Sequence, residues 1–219
     1  MAMDPNLSTL LKWSVENSAA TADDPTAQAP APASKIDPAA FSALFGGPSD
    51  ADLMISSMHA IRSTDPEVTL TDKVTAFDNF EQLIENLDNA NNLAPLALWP
   101  PLIELLSHEE GEIRKMAAWC VGTAVQNNEK SQEKLLEAGG IEKLVGLAVG
   151  ENEDALVRRK AVYALSSAGR NFQKGMDAIT AELGRLGRKD GGKVDASDMD
   201  ECDVLIGGLR EEAAKGVKA

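Results

Sequence analysis

Cys120 and Cys202, together with His59 and His108, are the side chains of this 219-residue sequence best suited to nucleophilic, redox or metal chemistry. Their number already limits that chemistry. Two cysteines exclude a disulfide scaffold and a four-thiolate zinc site, and two histidines leave little for histidine-based catalysis. The run Asp190-Gly191-Gly192-Lys193-Val194-Asp195 has a faint calcium-loop look but places Gly192 and Val194 where ligands belong. No Gly-rich phosphate loop, Gly-x-Ser-x-Gly elbow or His-Glu-x-x-His pair occurs. Cys120 falls on an apolar helical stripe and reads as a small buried hydrophobe, and Cys202 as half-buried in the last helix. No catalytic residue, metal ligand or cofactor is therefore expected, and the chain reads as a non-enzyme.

Charge narrows the partners. Thirty-five acidic residues against 21 basic ones give a formal net charge of −14. Such a chain repels phosphates, so nucleic acid and anionic membrane are not expected partners. No apolar run approaches the ~20 residues of a membrane span, and no secretory or retention signal is read at either end. The expectation is a cytoplasmic protein, and the polar outer faces fit a monomer.

The elements that would position a binding surface are helical. Residues 1–19 include a short amphipathic helix with Leu10, Leu11 and Val15 on one face and Trp13 to its side. Residues 20–35 contain no large apolar side chain and read as an Ala/Pro-rich linker. A small island, Phe41, Leu44 and Phe45, precedes Gly46-Gly47-Pro48 and a helix carrying Leu53, Met54, Met58 and Ile61.

From about residue 69 the sequence repeats. Trp99–Leu106 matches Ile141–Ala148 at an offset of 42, Arg114–Asn127 matches Arg158–Asn171 at 44, and Lys73–Asn86 matches Arg114–Asn127 at 41. A period near 42 made only of helical segments predicts an armadillo- or HEAT-type solenoid. Core stripes follow from the helical wheel: Phe77, Phe80, Leu83, Ile84 and Leu87 in a helix over 73–89; Ile113, Ala117, Cys120, Val121 and Ala124; then Val157, Ala161, Ala164, Leu165 and Ala168. Asp78, Gln82, Glu85, Asn86 and Asn89 lie opposite the first stripe. Trp119, Thr123, Gln126 and Asn127 lie opposite the second, and Tyr163, Ser167, Arg170 and Asn171 opposite the third. Equivalent positions of a solenoid stack into one surface, so these thirteen residues form the candidate partner-binding face. Trp119 and Tyr163 read either as interface anchors or as cover for inter-repeat packing. The asparagines read as surface residues or as helix caps. Between Asp65 and Asn92, seven acidic residues accompany one base, Lys73, as a solvated face or a lip for a basic partner.

Ala76-Phe77-Asp78-Asn79-Phe80-Glu81, continuing through Leu83-Ile84-Glu85-Asn86-Leu87-Asp88-Asn89-Ala90-Asn91-Asn92, resembles the first repeat of the armadillo-type nucleotide exchange factors of heat-shock protein 70. Gly122–Asn128 resembles the second repeat, and Ala161–Ser167 with Arg170-Asn171 the third. Leu10-Leu11-Lys12-Trp13-Ser14 and Leu44-Phe45-Gly46-Gly47 are similar to the fungal branch. The resemblance implies an all-α, right-handed armadillo-repeat solenoid with a flexible amino-terminal segment. It also implies grip of the chaperone's ATPase domain by the concave face, which loosens the cleft and speeds ADP release. Leu10, Leu11, Trp13 and Val15 would serve client release at the chaperone's peptide-binding domain, or dock on the solenoid. On this reading 41–172 is the armadillo domain of about three repeats, and 173–219 is a helical cap with an irregular loop at 184–198. Relatives in yeast and animals continue with further repeats, so their later contacts have no counterpart here.

The competing reading is an armadillo scaffold for an unrelated partner or cargo peptide. The nuclear-import adaptors hold basic peptides with repeated Trp-x-x-x-Asn. Here Thr123 and Ser167 stand four residues after Trp119 and Tyr163, so that array is missing.

Overall fold

Ten helices follow one another without a strand among the described residues, 46–188 and 192–215, of the computed structural model. They are α1 (Asp50–Ile61), α2 (Leu70–Ile84), α3 (Leu87–Asn92), α4 (Trp99–Leu105), α5 (Gly111–Val125), α6 (Glu129–Glu137), α7 (Gly140–Val149), α8 (Ala155–Gly169), α9 (Gln173–Arg185) and α10 (Met199–Ala214). Helices α3–α5 and α6–α8 are successive triplets, with α4 matching α7 and α5 matching α8, as the repeat predicts. The chain forms an armadillo-like helical solenoid. Residues 1–45, including Leu10, Leu11, Trp13, Val15, Phe41, Leu44 and Phe45, lie outside the described residues.

Five helices, α2, α3, α6, α8 and α10, start where the sequence supplies a side-chain cap. Thr69 accepts the Asp72 amide, and the Asp72 carboxylate accepts the Thr69 amide at 2.9 Å. This reciprocal pair satisfies two orphan donors of α2, and the bonds from Thr69 hold the Asp72 carboxyl below its usual range. Asn128, Asp154 and Asp198 cap α6, α8 and α10 one way only, each side chain accepting backbone amides of its helix's first turn. Gly139, at φ 66°, supplies the left-handed turn that separates α6 from α7.

The third helices form one inner row, in which α2 packs on α5, α5 on α8 and α8 on α10. The α5–α8 contact is the most extensive among the described helices. Ala117, Cys120, Val121 and Ala124 meet Ala161, Ala164, Leu165 and Ala168 there, all essentially inaccessible. Small side chains let the two helices approach closely, which accounts for a core built with so few aromatics.

Two expectations are corrected by this packing. The helix expected over 73–89 stops at Ile84, and Asn86 opens α3 by accepting the Asp88 and Asn89 amides. The turn rotates Leu87 off the core stripe, leaving it 56% exposed, and Leu83 is only partly buried. At the other end, α10 runs to Ala214, and its Cys202 is fully buried rather than half-buried.

Candidate functional site

A groove of about 600 Å³ crosses the inner row, walled by Val74 and Asp78 of α2, Glu112, Lys115, Met116 and Trp119 of α5, and Leu156, Arg159, Lys160 and Tyr163 of α8. Its floor follows from one glycine. A Cβ on Gly122 would sit 2.5 Å from Tyr163 Cε1 and 3.1 Å from Ala164 Cα. Absence of that carbon lets the phenol lie flat over α5, where its hydroxyl donates to Gln126 Oε1 at 3.2 Å. The Lys160 ammonium stands 3.8 Å above the Trp119 ring centre and 5.7 Å from that of Tyr163. Such a cation–π contact contributes about 1 kcal/mol when half-buried. Burial depresses the Lys160 pKa, and the nearby Glu81 carboxylate partly offsets this. Lys115 is held by Glu112 at 2.6 Å, whereas neither Arg159 nor Lys160 has an ion-pair partner among the described residues.

The thirteen candidate residues divide by what neighbouring helices bring to them. Asp78, Trp119 and Tyr163 line the groove. Gln82 lines a separate apolar cleft between α1 and α2, with Leu53 and Leu83, and Glu85 is solvent-exposed. Asn86 is committed to the α3 cap. Asn127 and Asn171 adopt left-handed backbone at φ 51° and 56°, just beyond α5 and α8. They are exposed turn residues in which asparagine relieves the strain that other side chains would suffer.

Several positions expected on the open face are engaged inside the fold. Asn89 is 7% exposed; its Nδ2 donates to the Asp50 carboxylate at 2.8 Å and to the Leu83 carbonyl at 3.0 Å. The early end of α2 turns it inward. The Thr123 hydroxyl donates to the buried Glu81 at 2.7 Å. Ser167 is half-buried, and its carbonyl accepts from Gln132 Nε2. Arg170 is tied to Ser166 Oγ and to the Asp203 carboxylate of α10.

Lys160 escaped the sequence reading. Its available signal was the i,i+3 spacing from Tyr163, which puts both on one side of α8. Cys120 is buried as expected. Burial, then the Glu81 and Asp78 charges, push its thiol well above the ordinary value, so it stays protonated at neutral pH.

A row of equivalent helices bearing an open groove defines a helical-repeat binding protein. Residues 7–93 match the family described as nucleotide exchange factor Fes1, and residues 89–182 match the SIL1/FES1/HPBP1 C-terminal domain. The chain is 59% identical to the Hsp70 nucleotide exchange factor FES1 of Gibberella zeae over 213 residues, which cover 97% of this chain and 99% of that one. It is 48% identical over 243 residues to the Hsp70 nucleotide exchange factor fes-1 of Neurospora crassa, covering 96% and 99%. Its structure is similar to the crystal structure of an engineered protein, with a TM-score of 0.52 and 19% identity over 80% of this chain and 70% of that one, a likeness of fold alone. The chain belongs to the Fes1 family of nucleotide exchange factors. No described helix is long and apolar enough to cross a membrane.

Proposed function

We propose that the chain is a nucleotide exchange factor for heat-shock protein 70, binding the chaperone's ATPase domain with the inner row of α2, α5 and α8. The observation that carries this reading is the match along nearly the whole chain to a protein named for that activity. The groove fits the task, since it offers a wide, half-apolar surface with aromatic anchors rather than an enclosed substrate pocket. The factor acts by binding and makes or breaks no bond. If it prefers the nucleotide-free chaperone, linkage requires that it weaken ADP binding by the factor by which ADP weakens its own. Residues 1–19, with the apolar face of Leu10, Leu11, Trp13 and Val15, assist client release in this proposal.

The test is stopped-flow release of a fluorescent ADP analogue from a cytosolic heat-shock protein 70. Acceleration by the full chain, lost in Trp119→Ala with helicity intact, supports the reading. Measurable binding without acceleration sinks the exchange activity. Deletion of residues 1–35 is expected to spare ADP release while slowing client release.

A further inference from the structure

The Lys160 ammonium is the unusual group of the inner row. One of its faces is covered by the Trp119 ring and Tyr163 stands beside it, so the side chain is held in place although lysine is ordinarily mobile. It is half-buried, and no acceptor among the described residues takes its protons. Arg159, its neighbour on the same wall, is exposed and likewise without an ion pair. Across the groove stands Asp78 on α2, at the end of the row where acidic residues gather. In a chain of net charge −14, the α8 wall is thus locally basic and the α2 wall acidic.

Resting on the exchange-factor reading, we propose that the α8 wall recognises an acidic segment of the chaperone, one of whose carboxylates is accepted by Lys160 on its Trp119 platform, with Arg159 as the second cation. The platform matters because it removes most of the lysine's rotamer freedom before binding, so less entropy is lost when the carboxylate arrives. Removal of Lys160 from water weakens its hydration in the free protein, and an incoming carboxylate restores that lost stabilisation. Asp78 on the facing wall disfavours the reversed orientation of the same segment, so the groove fixes register as well as affinity. The depressed pKa of Lys160 fits this picture but is not needed for it.

The experiment titrates full-length heat-shock protein 70 in its ADP state with the full chain at low and high salt. The variants are Lys160→Glu, Lys160→Arg, Arg159→Glu and Trp119→Ala, with Lys130→Glu on α6 as a matched charge change outside the groove. Far-ultraviolet dichroism checks each variant. Lys160→Glu and Arg159→Glu are each expected to weaken binding by about tenfold or more and to flatten its salt dependence, with Lys160→Arg keeping that salt dependence and Lys130→Glu within about twofold of the parent. Arg159 is exposed, so its variant tests the wall even where Lys160→Glu perturbs the fold. Loss of affinity in Trp119→Ala with both charge reversals binding as the parent does overturns the carboxylate site and leaves the groove as interface. Absence of binding by the parent chain overturns the exchange-factor reading and this inference together.

Discussion

Arg114 and Arg158 open equivalent helices, α5 and α8, at matching repeat positions, yet they close their joints by different means. Arg114 holds the Glu153 carboxylate with two bonds of 2.7 Å, while its Nη1 donates to the carbonyls of His108 and Glu109. It joins the loop before its own helix to the loop before the next third helix. Arg158 hydrogen-bonds backbone instead: Nε to Ala148 O at 3.3 Å, Nη1 to Lys215 O at 3.2 Å and Nη2 to Glu212 O at 2.9 Å, with the Glu212 carboxylate only a longer 3.8 Å ion pair. Its guanidinium caps the last carbonyls of α10, where the helix dipole also favours a cation. An internal joint of the solenoid is made by a side-chain carboxylate that the next repeat supplies. The last joint is made by the end of a helix. Helix α10 is secured through its own last carbonyls rather than through an acidic loop residue.

The contrast is broken or sharpened by substitution. Arg158→Met strips donors from three carbonyls at a position only 5% exposed, and is expected to cost about 3 kcal/mol and to accelerate amide exchange in α10 first. A uniform melt with no early loss of α10 would remove the capping role. Arg114→Met is expected to cost less, about 2 kcal/mol in a thermal melt, because the Glu153 loop is able to turn its carboxylate to water. If the two variants melt alike, the joints are energetically the same and the difference is only geometric. Gly122→Ala pushes Tyr163 off its seat. We expect about 1 kcal/mol of destabilisation with a larger relative loss of chaperone affinity, read by calorimetry beside the melt. Arg170→Glu breaks the tie to Asp203, whose side chain is 65% exposed, and should cost under about 1 kcal/mol. An effect above that of Arg158→Met would move the main closure of the cap to this pair.

The smallest effect concerns Cys120 and Cys202. Burial raises both thiols, so their contribution to stability is present below the ordinary thiol pKa and is lost as pH rises through the folded value. At neutral pH neither should react with iodoacetamide until the chain unfolds. Alkylation of the folded protein, seen by mass spectrometry, would contradict their burial.

Much of the fold was legible in the chain because a repeat writes the same local instruction several times. The stripe Ile113, Ala117, Cys120, Val121 and Ala124 and its counterpart on α8 are buried as the wheel places them. The end of α2 was not legible: Asn86 lies at the repeat position of Asn127 and Asn171, but those two take left-handed backbone beyond their helices while Asn86 caps the next one. An asparagine suits both tasks, and only the direction taken by the following helix separates them. Trp119 and Tyr163 were visible as solitary aromatics opposite a core stripe, whereas Lys160 was one base among many until the rings came beside it.

The sequence alone therefore determined the period, the all-helical solenoid, the apolar stripes and the scarcity of histidine and cysteine. These depend on residue type and on spacing along one helix, which neighbours do not alter. The tertiary structure decided which polar positions remain open. Asn89, Thr123 and Arg170 are taken up by Asp50, Glu81 and Asp203, each 33 or more residues away in sequence. Lys160 is left stacked in the groove without an ion-pair partner among the described residues. A hydrogen bond requires its partner within about 3 Å, and no helix encodes what its neighbour will bring to that distance.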